Sequence, residues 1–181
     1  MVPPKSGKVE VNGTDVTFLE SYRHVENGIA FVPQGRHVFS NLTVEENIRA
    51  GLRIKEHWVQ LRTEVYSIFD VLCKMRGRKA GNLSGGQQQQ LAIARALVAE
   101  PRVLILDEPT EGIQPSIIKD LARQINDLKL SKDLAIVVSE QVLSFTIDIA
   151  DKMYVIESGR FVREDTRGNF DVEKITSYLS V

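Results

Sequence analysis

Short apolar runs alternate with stretches of helical period along this chain. "GIAFV" (28–32) and "RVLIL" (102–106) are continuous apolar runs of strand length, the first halted by Pro33. "LAIVVS" (134–139) and "KMYVIE" (152–157) have the same character. Between Pro115 and Leu130 the apolar residues Ile118, Leu121, Ile125 and Leu128 recur at helical spacing, and Pro115 suits a first helical turn. Strand-like runs separated by helical ones imply the α/β class, a mostly parallel sheet with helices packed on its faces. The uninterrupted apolar run of "RVLIL" predicts a strand buried on both faces. Residues 38–83 break the alternation with helical patterns and no strand, and are read as a helical insertion opened by a capping box of Thr43 and Glu46. "KSGKVEVNGTDVT" reads as a turn, a strand and a second turn at Asn12-Gly13. "KMYVIESGRFVRED" reads as strand, Gly-centred turn and strand, followed by a closing helix in "DVEKITSYLS".

Composition narrows the function classes. The 181 residues, 43% hydrophobic, suffice for one domain with a substantial core. Twenty-three basic and 24 acidic residues leave a net charge of −1, without a basic run, so nucleic acid is not the expected partner. The single cysteine, Cys73, permits no internal disulfide. His24, His37 and His57 lack the spacing and company of a metal site. No apolar run approaches the ~20 residues of a membrane span, and "MVPPKSGK" lacks the apolar core of a signal peptide, so a cytosolic location is expected.

Two stretches carry candidate chemistry. In "NLSGGQQQQLAIARAL", Ser84 and Gln87 form a second capping box at the start of a helix that stops before Pro101. The box accounts for Ser84 and Gln87 but not for Gly85 and Gly86. Bare backbone at a helix N-terminus, where amides and the positive end of the dipole point outward, makes an anion site, so a phosphate is the alternative to a simple cap. In "VLILDEPTEG", Asp107 and Glu108 end a strand at the edge where open α/β sheets bind ligands. They are either a solvated strand terminus or a working pair, Asp107 holding hydrated Mg²⁺ and Glu108 orienting the water that attacks a γ-phosphate.

"LSGGQ" (83–87), "LILDEPTEG" (104–112) and "VPQGRHVFSNLTVEENI" (32–48) together resemble the ABC-transporter ATPases, over essentially the whole chain. The resemblance implies a P-loop NTPase-like fold, in which a mostly parallel core (1–37 and 84–181) carries a helical subdomain (38–83) facing a membrane partner. It implies that Ser84, Gly85, Gly86 and Gln87 are the signature motif, that Asp107 is the Walker B aspartate and that Glu108 is the catalytic base. By the same likeness Gln34 is the Q-loop glutamine, contacting Mg²⁺ or the attacking water, and Gln141 occupies the switch position. The finer likeness is to the branched-chain amino acid, amide and urea subfamily, most to its urea-type ATP-binding subunit, with branched-chain amino acids as the alternative cargo. ATP and Mg²⁺ are the implied cofactors. Implied partners are an unlike ATPase subunit, transmembrane permease subunits and, indirectly, a periplasmic or extracellular substrate-binding protein. The implied location is peripheral to the inner face of the cell membrane.

Departures from the family pattern matter as much. These residues contain no Gly-x-x-Gly-x-Gly-Lys-Ser/Thr; the only "GK", Gly7-Lys8, is followed by Val9. Residues 1–20 resemble the segment just after the Walker A helix, so roughly 40–50 residues of an ordinary domain are expected to be missing in front. Gln141 stands where many relatives carry histidine and Gln114 where the D-loop usually has aspartate. Glutamine carries neither a proton nor a positive charge for the switch. A pseudo-ATPase that keeps only the signature face is therefore a distinct alternative. A non-transport ABC ATPase of DNA repair or translation is disfavoured by the lack of a coiled-coil insertion and basic patches.

Overall fold

In the computed structural model, which describes residues 4–179, the first elements are a small hairpin of β1 (Glu10–Val11) and β2 (Thr14–Asp15). Its loop residues Asn12 and Gly13 have φ of 51° and 78°, the type I′ geometry that an Asn-Gly pair favours. Gly7-Lys8 thus leads into a hairpin, whereas a P-loop opens a helix. Helix α1 (Ser21–Glu26) precedes β3 (Ile29–Val32). Four α-helices come next without an intervening strand: α2 (Val44–Arg49), α3 (Trp58–Ile68), α4 (Asp70–Lys74) and α5 (Gly85–Leu97). The chain continues through β4 (Val103–Asp107), α6 (Pro115–Ser131), β5 (Ala135–Ser139) and α7 (Leu143–Ile149). A second hairpin, β6 (Lys152–Glu157) and β7 (Arg160–Thr166), precedes α8 (Val172–Leu179). The expected closing helix runs from 171 to 180, of which Ser180 lies outside the described residues.

β3, β4 and β5 form a parallel sheet in that order, with β4 central. Both crossovers step across the sheet in the same direction. Right-handed connections therefore put α5 and α6 on one face. That face, built from Ala30, Val32, Leu104 and Leu106, is buried with Leu91, Ile93, Leu121, Ile125 and Leu128 of the helices. Val44, Ile48, Leu61, Phe69 and Leu72 of α2 to α4 and the loop between belong to the same apolar cluster. The helical region therefore shares its core with the sheet.

The opposite sheet face corrects one expectation. "RVLIL" is buried on one face only, since Leu104 and Leu106 are fully buried while Val103 and Ile105 are half-buried. The register aligns Phe31, Ile105 and Val137 across the three strands, and Phe31 is 43% and Val137 53% exposed. An apolar run identifies a strand but not what covers each side, and here both long crossover helices lie on the same side.

The glycines of α5 also have a packing cause. Gly86 is buried, and a Cβ placed on it would fall inside the van der Waals envelope of Ile117 Cγ2 on α6. A Cβ on Gly85 would stand 3.0 Å from Arg36 Nη1. The paired glycines therefore let α6 and the loop after β3 approach the start of α5, a requirement the sequence did not reveal. Gly86→Ala should lower stability by about 1–3 kcal/mol, the usual cost of overpacking, despite the ~1 kcal/mol that alanine gains over glycine in a helix. Urea unfolding checks this. In an Ile117→Ala background the penalty should shrink, because the obstructing methyl is gone; an unchanged penalty would rule out Ile117 as its cause.

Candidate functional site

Parallel pairing aims the ends of β3, β4 and β5 at one sheet edge. Asp107 is the last residue of β4, in register with Ser139 of β5. Glu108 follows with φ of 42°, a left-handed conformation uncommon outside glycine, asparagine and aspartate. Pro109, which has no N–H to continue the ladder, comes next. The Glu108 N–H donates to the Ser139 carbonyl at 2.9 Å, so the strained residue is pinned to the neighbouring strand end.

The loops after the two flanking strands converge on the Glu108 side chain. Gln34, two residues beyond β3, donates its Nε2–H to Glu108 Oε2 at 2.9 Å. Gln141, two residues beyond β5, donates its Nε2–H to Glu108 Oε1 at 2.8 Å. Each carboxylate oxygen thus receives one neutral amide. The pair fixes the carboxylate plane without neutralising its charge. Asp107 is half-buried beside it, and among the described residues its carboxylate takes no hydrogen bond or ion pair from protein.

The helix start at 84–87 lies apart from this cluster. Among the described residues, no hydrogen bond joins Ser84–Gln87 to Gln34, Glu108 or Gln141. Both halves of the capping box form. The Gln87 N–H donates to Ser84 Oγ at 3.4 Å, and the Ser84 N–H donates to Gln87 Oε1 at 3.0 Å. That arrangement leaves the Gln87 Nε2 and the exposed Ser84 hydroxyl as donors at the helix end. Gln114 is the N-cap residue of α6 but gives it no side-chain cap.

Arg36 escaped the sequence reading. Its Nη2–H donates to the Glu111 carbonyl at 2.6 Å, and its guanidinium lies against Gly85. Its own carbonyl accepts from Nη2 of Arg95 in α5 at 3.4 Å. The loop that carries Gln34 therefore also touches the segment after Glu108 and the helix opened by Ser84. Glu140 and Thr110 were likewise missed, although Glu140's position between a strand end and Gln141 was a usable signal. A concavity of about 640 Å³ lies at the other end of the sheet, lined by Val11, Glu100, Arg102, Lys132 and Ala135 among others. Two of its charges are already paired, Glu100 with His57 and Lys132 with Glu64, so it offers less unspent chemistry than the Glu108 edge.

Comparison with known proteins gives this geometry a family. Residues 1–111 match the family model described as ABC transporter. The chain is 38% identical over 163 residues to the high-affinity branched-chain amino acid transport ATP-binding protein BraG of Pseudomonas aeruginosa, covering 89% of this chain and 70% of BraG. It is 39% identical over 157 residues to the probable branched-chain amino acid transport ATP-binding protein LivF of Archaeoglobus fulgidus, covering 86% of this chain and 66% of LivF. Among solved structures, the ADP conformation of MJ1267, an ATP-binding cassette of an ABC transporter, superposes with a TM-score of 0.81 at 25% identity, covering 97% of this chain and 74% of that one. A nucleotide-free cassette gives a TM-score of 0.82 over 99% of this chain and 76% of its own. The fold is that of the ABC ATPases, and the chain belongs to the ABC transporter ATP-binding family.

Proposed function

We propose that this chain acts as the nucleotide-binding subunit of an importer for branched-chain amino acids. The observation that carries the nucleotide-hydrolysis part is the Glu108 carboxylate held by the Gln34 and Gln141 amides at the sheet edge. The cargo part is supported by the names of BraG and LivF. Those names favour branched-chain amino acids over the urea-type reading that the motifs suggest.

Glu108 is the group that orients and polarises the attacking water, and the two amides hold its oxygens in place. Neither amide titrates in the physiological range, so Glu108 is the only ionisable group of the three. Among the described residues the Asp107 carboxylate has no protein partner, and Gln34 engages its amide nitrogen but not its carbonyl oxygen, so the two fit a hydrated Mg²⁺ that keeps most ligands as water and phosphate oxygen. Bound there, the ion would neutralise charge on the phosphates. Ser84–Gln87 would cap the phosphates of a nucleotide held by an unlike ATPase subunit, through the α5 N-terminus, the Ser84 hydroxyl and the Gln87 amide. Residues 38–83, helices and loops joined by one isolated β-bridge between Thr43 and Lys79, would face the transmembrane subunits, which take cargo from a binding protein outside. On this reading the chain works at the inner face of the membrane. Among the described residues no helix is long and apolar enough to cross a membrane.

These 181 residues hold no Lys-bearing Gly-rich loop of the kind that cradles β- and γ-phosphates. Calorimetry on the 181 residues should show no micromolar binding of Mg-ATP; micromolar binding with turnover would mean that phosphates are held some other way. In a form carrying a Gly-rich loop ahead of residue 1, Glu108→Gln should bind ATP normally while kcat falls about 10²-fold or more, the typical scale of a lost general base. Unchanged turnover would remove Glu108 from the role. Ser84→Arg, tested in the assembled transporter, should abolish hydrolysis at the partner subunit's site. It should cost this subunit only about 1 kcal/mol of cap stability. Full partner-site hydrolysis by an assembled variant would reduce Ser84–Gln87 to a helix cap.

A further inference from the structure

Glu140 stands between β5 and Gln141, and no motif assigns it a role. Its Oε2 accepts from the Thr110 N–H at 3.1 Å and from the Thr110 hydroxyl at 2.7 Å. Its Oε1 accepts from the Gln141 N–H at 2.8 Å and the Val142 N–H at 3.1 Å. Thr110 is 3% exposed and lies two residues beyond Glu108. One carboxylate therefore ties the segment after β4 to the turn after β5. Three consecutive residues share that grip, for the Ser139 carbonyl takes the Glu108 N–H, Glu140 takes Thr110, and the Gln141 side chain reaches Glu108 Oε1.

From this geometry we infer that Glu140 is a positioning residue that acts through Gln141, holding the turn after β5 so that the Gln141 amide stays on the Glu108 carboxylate. Its four donors arrive in two pairs, one pair per oxygen, which a carboxylate can satisfy because both oxygens only accept. A glutamine at 140 would set an NH₂ group against one donor pair and release either Thr110 or the turn. The flexible Gln141 side chain has no charge with which to hold Glu108, so its place depends on the backbone that presents it. The importance of this hold for turnover rests on the reading of Glu108 as the water-polarising group; the hold itself does not.

The test therefore reads position without nucleotide. Nitrogen-15 NMR of the 181-residue chain would follow the Gln141 side-chain amide and hydrogen exchange at the Gln141 and Val142 backbone amides. Glu108→Ala would mark where the Gln141 side-chain signal falls once its acceptor is gone. In Glu140→Gln that signal should move toward the Glu108→Ala position, and exchange at both backbone amides should rise about tenfold or more, as for loss of bonds to a charged acceptor. Thr110→Val, which removes only the hydroxyl bond, should move the same signals in the same direction by less. A folded Glu140→Gln with all three signals unchanged would overturn the inference. Should Glu140→Gln fail to fold, Thr110→Val decides, and no movement there would overturn it as well. Loss of turnover in Glu108→Gln tests the functional reading separately, so either can fail alone.

Discussion

The in-register parallel pairing of β3, β4 and β5 is the constraint on which the site depends. Val32, Leu106 and Val138 lie on one line across the sheet. Gln34 and Glu108 each come two residues after that line and Gln141 three residues after it. A slip of one residue would turn Ala30, Val32, Leu104 and Leu106 away from α5 and α6. It would also carry the three polar side chains out of reach of one another. Core burial thus sets the register, and the register sets the geometry at Glu108.

A second layer of contacts joins this edge to the start of α5. Arg36 sits two residues after Gln34, bonds the Glu111 carbonyl and lies against Gly85. The backbone between them is unusual, with Gly35, Arg36 and His37 all at positive φ. Such conformations persist where the surroundings hold them, and here Arg95 secures the Arg36 carbonyl. This loop therefore contacts both the Glu108 carboxylate and the α5 N-terminus. Gly86 adds a second link, because its missing side chain is what admits Ile117 of α6, the helix that comes after the Glu108 segment.

The elements themselves were largely legible. The apolar runs marked four strands to within a residue or so, the spacing of Ile118, Leu121, Ile125 and Leu128 marked α6, and both capping boxes form. Local chemistry determines such features, since a cap needs only residues three apart and a helical stripe only a period. The members of the candidate site were legible through motifs, which named Gln34, Glu108 and Gln141 one at a time. Their joint arrangement, two amides on one carboxylate, was not legible, because the pairs are 74 and 33 positions apart.

The sequence by itself determined the α/β class, the places of its strands and helices, the family likeness and the residue types gathered at the candidate site. Each of these arises from neighbours along the chain. Only the tertiary structure decided that both long crossover helices share one sheet face, leaving Phe31 and Val137 exposed, that Gly86 is bare for Ile117, and that Arg36 and Glu140 bind the loops together. These depend on contacts between segments distant in sequence, whose approach is set by crossover handedness and sheet register, and no local pattern of residue types encodes that approach.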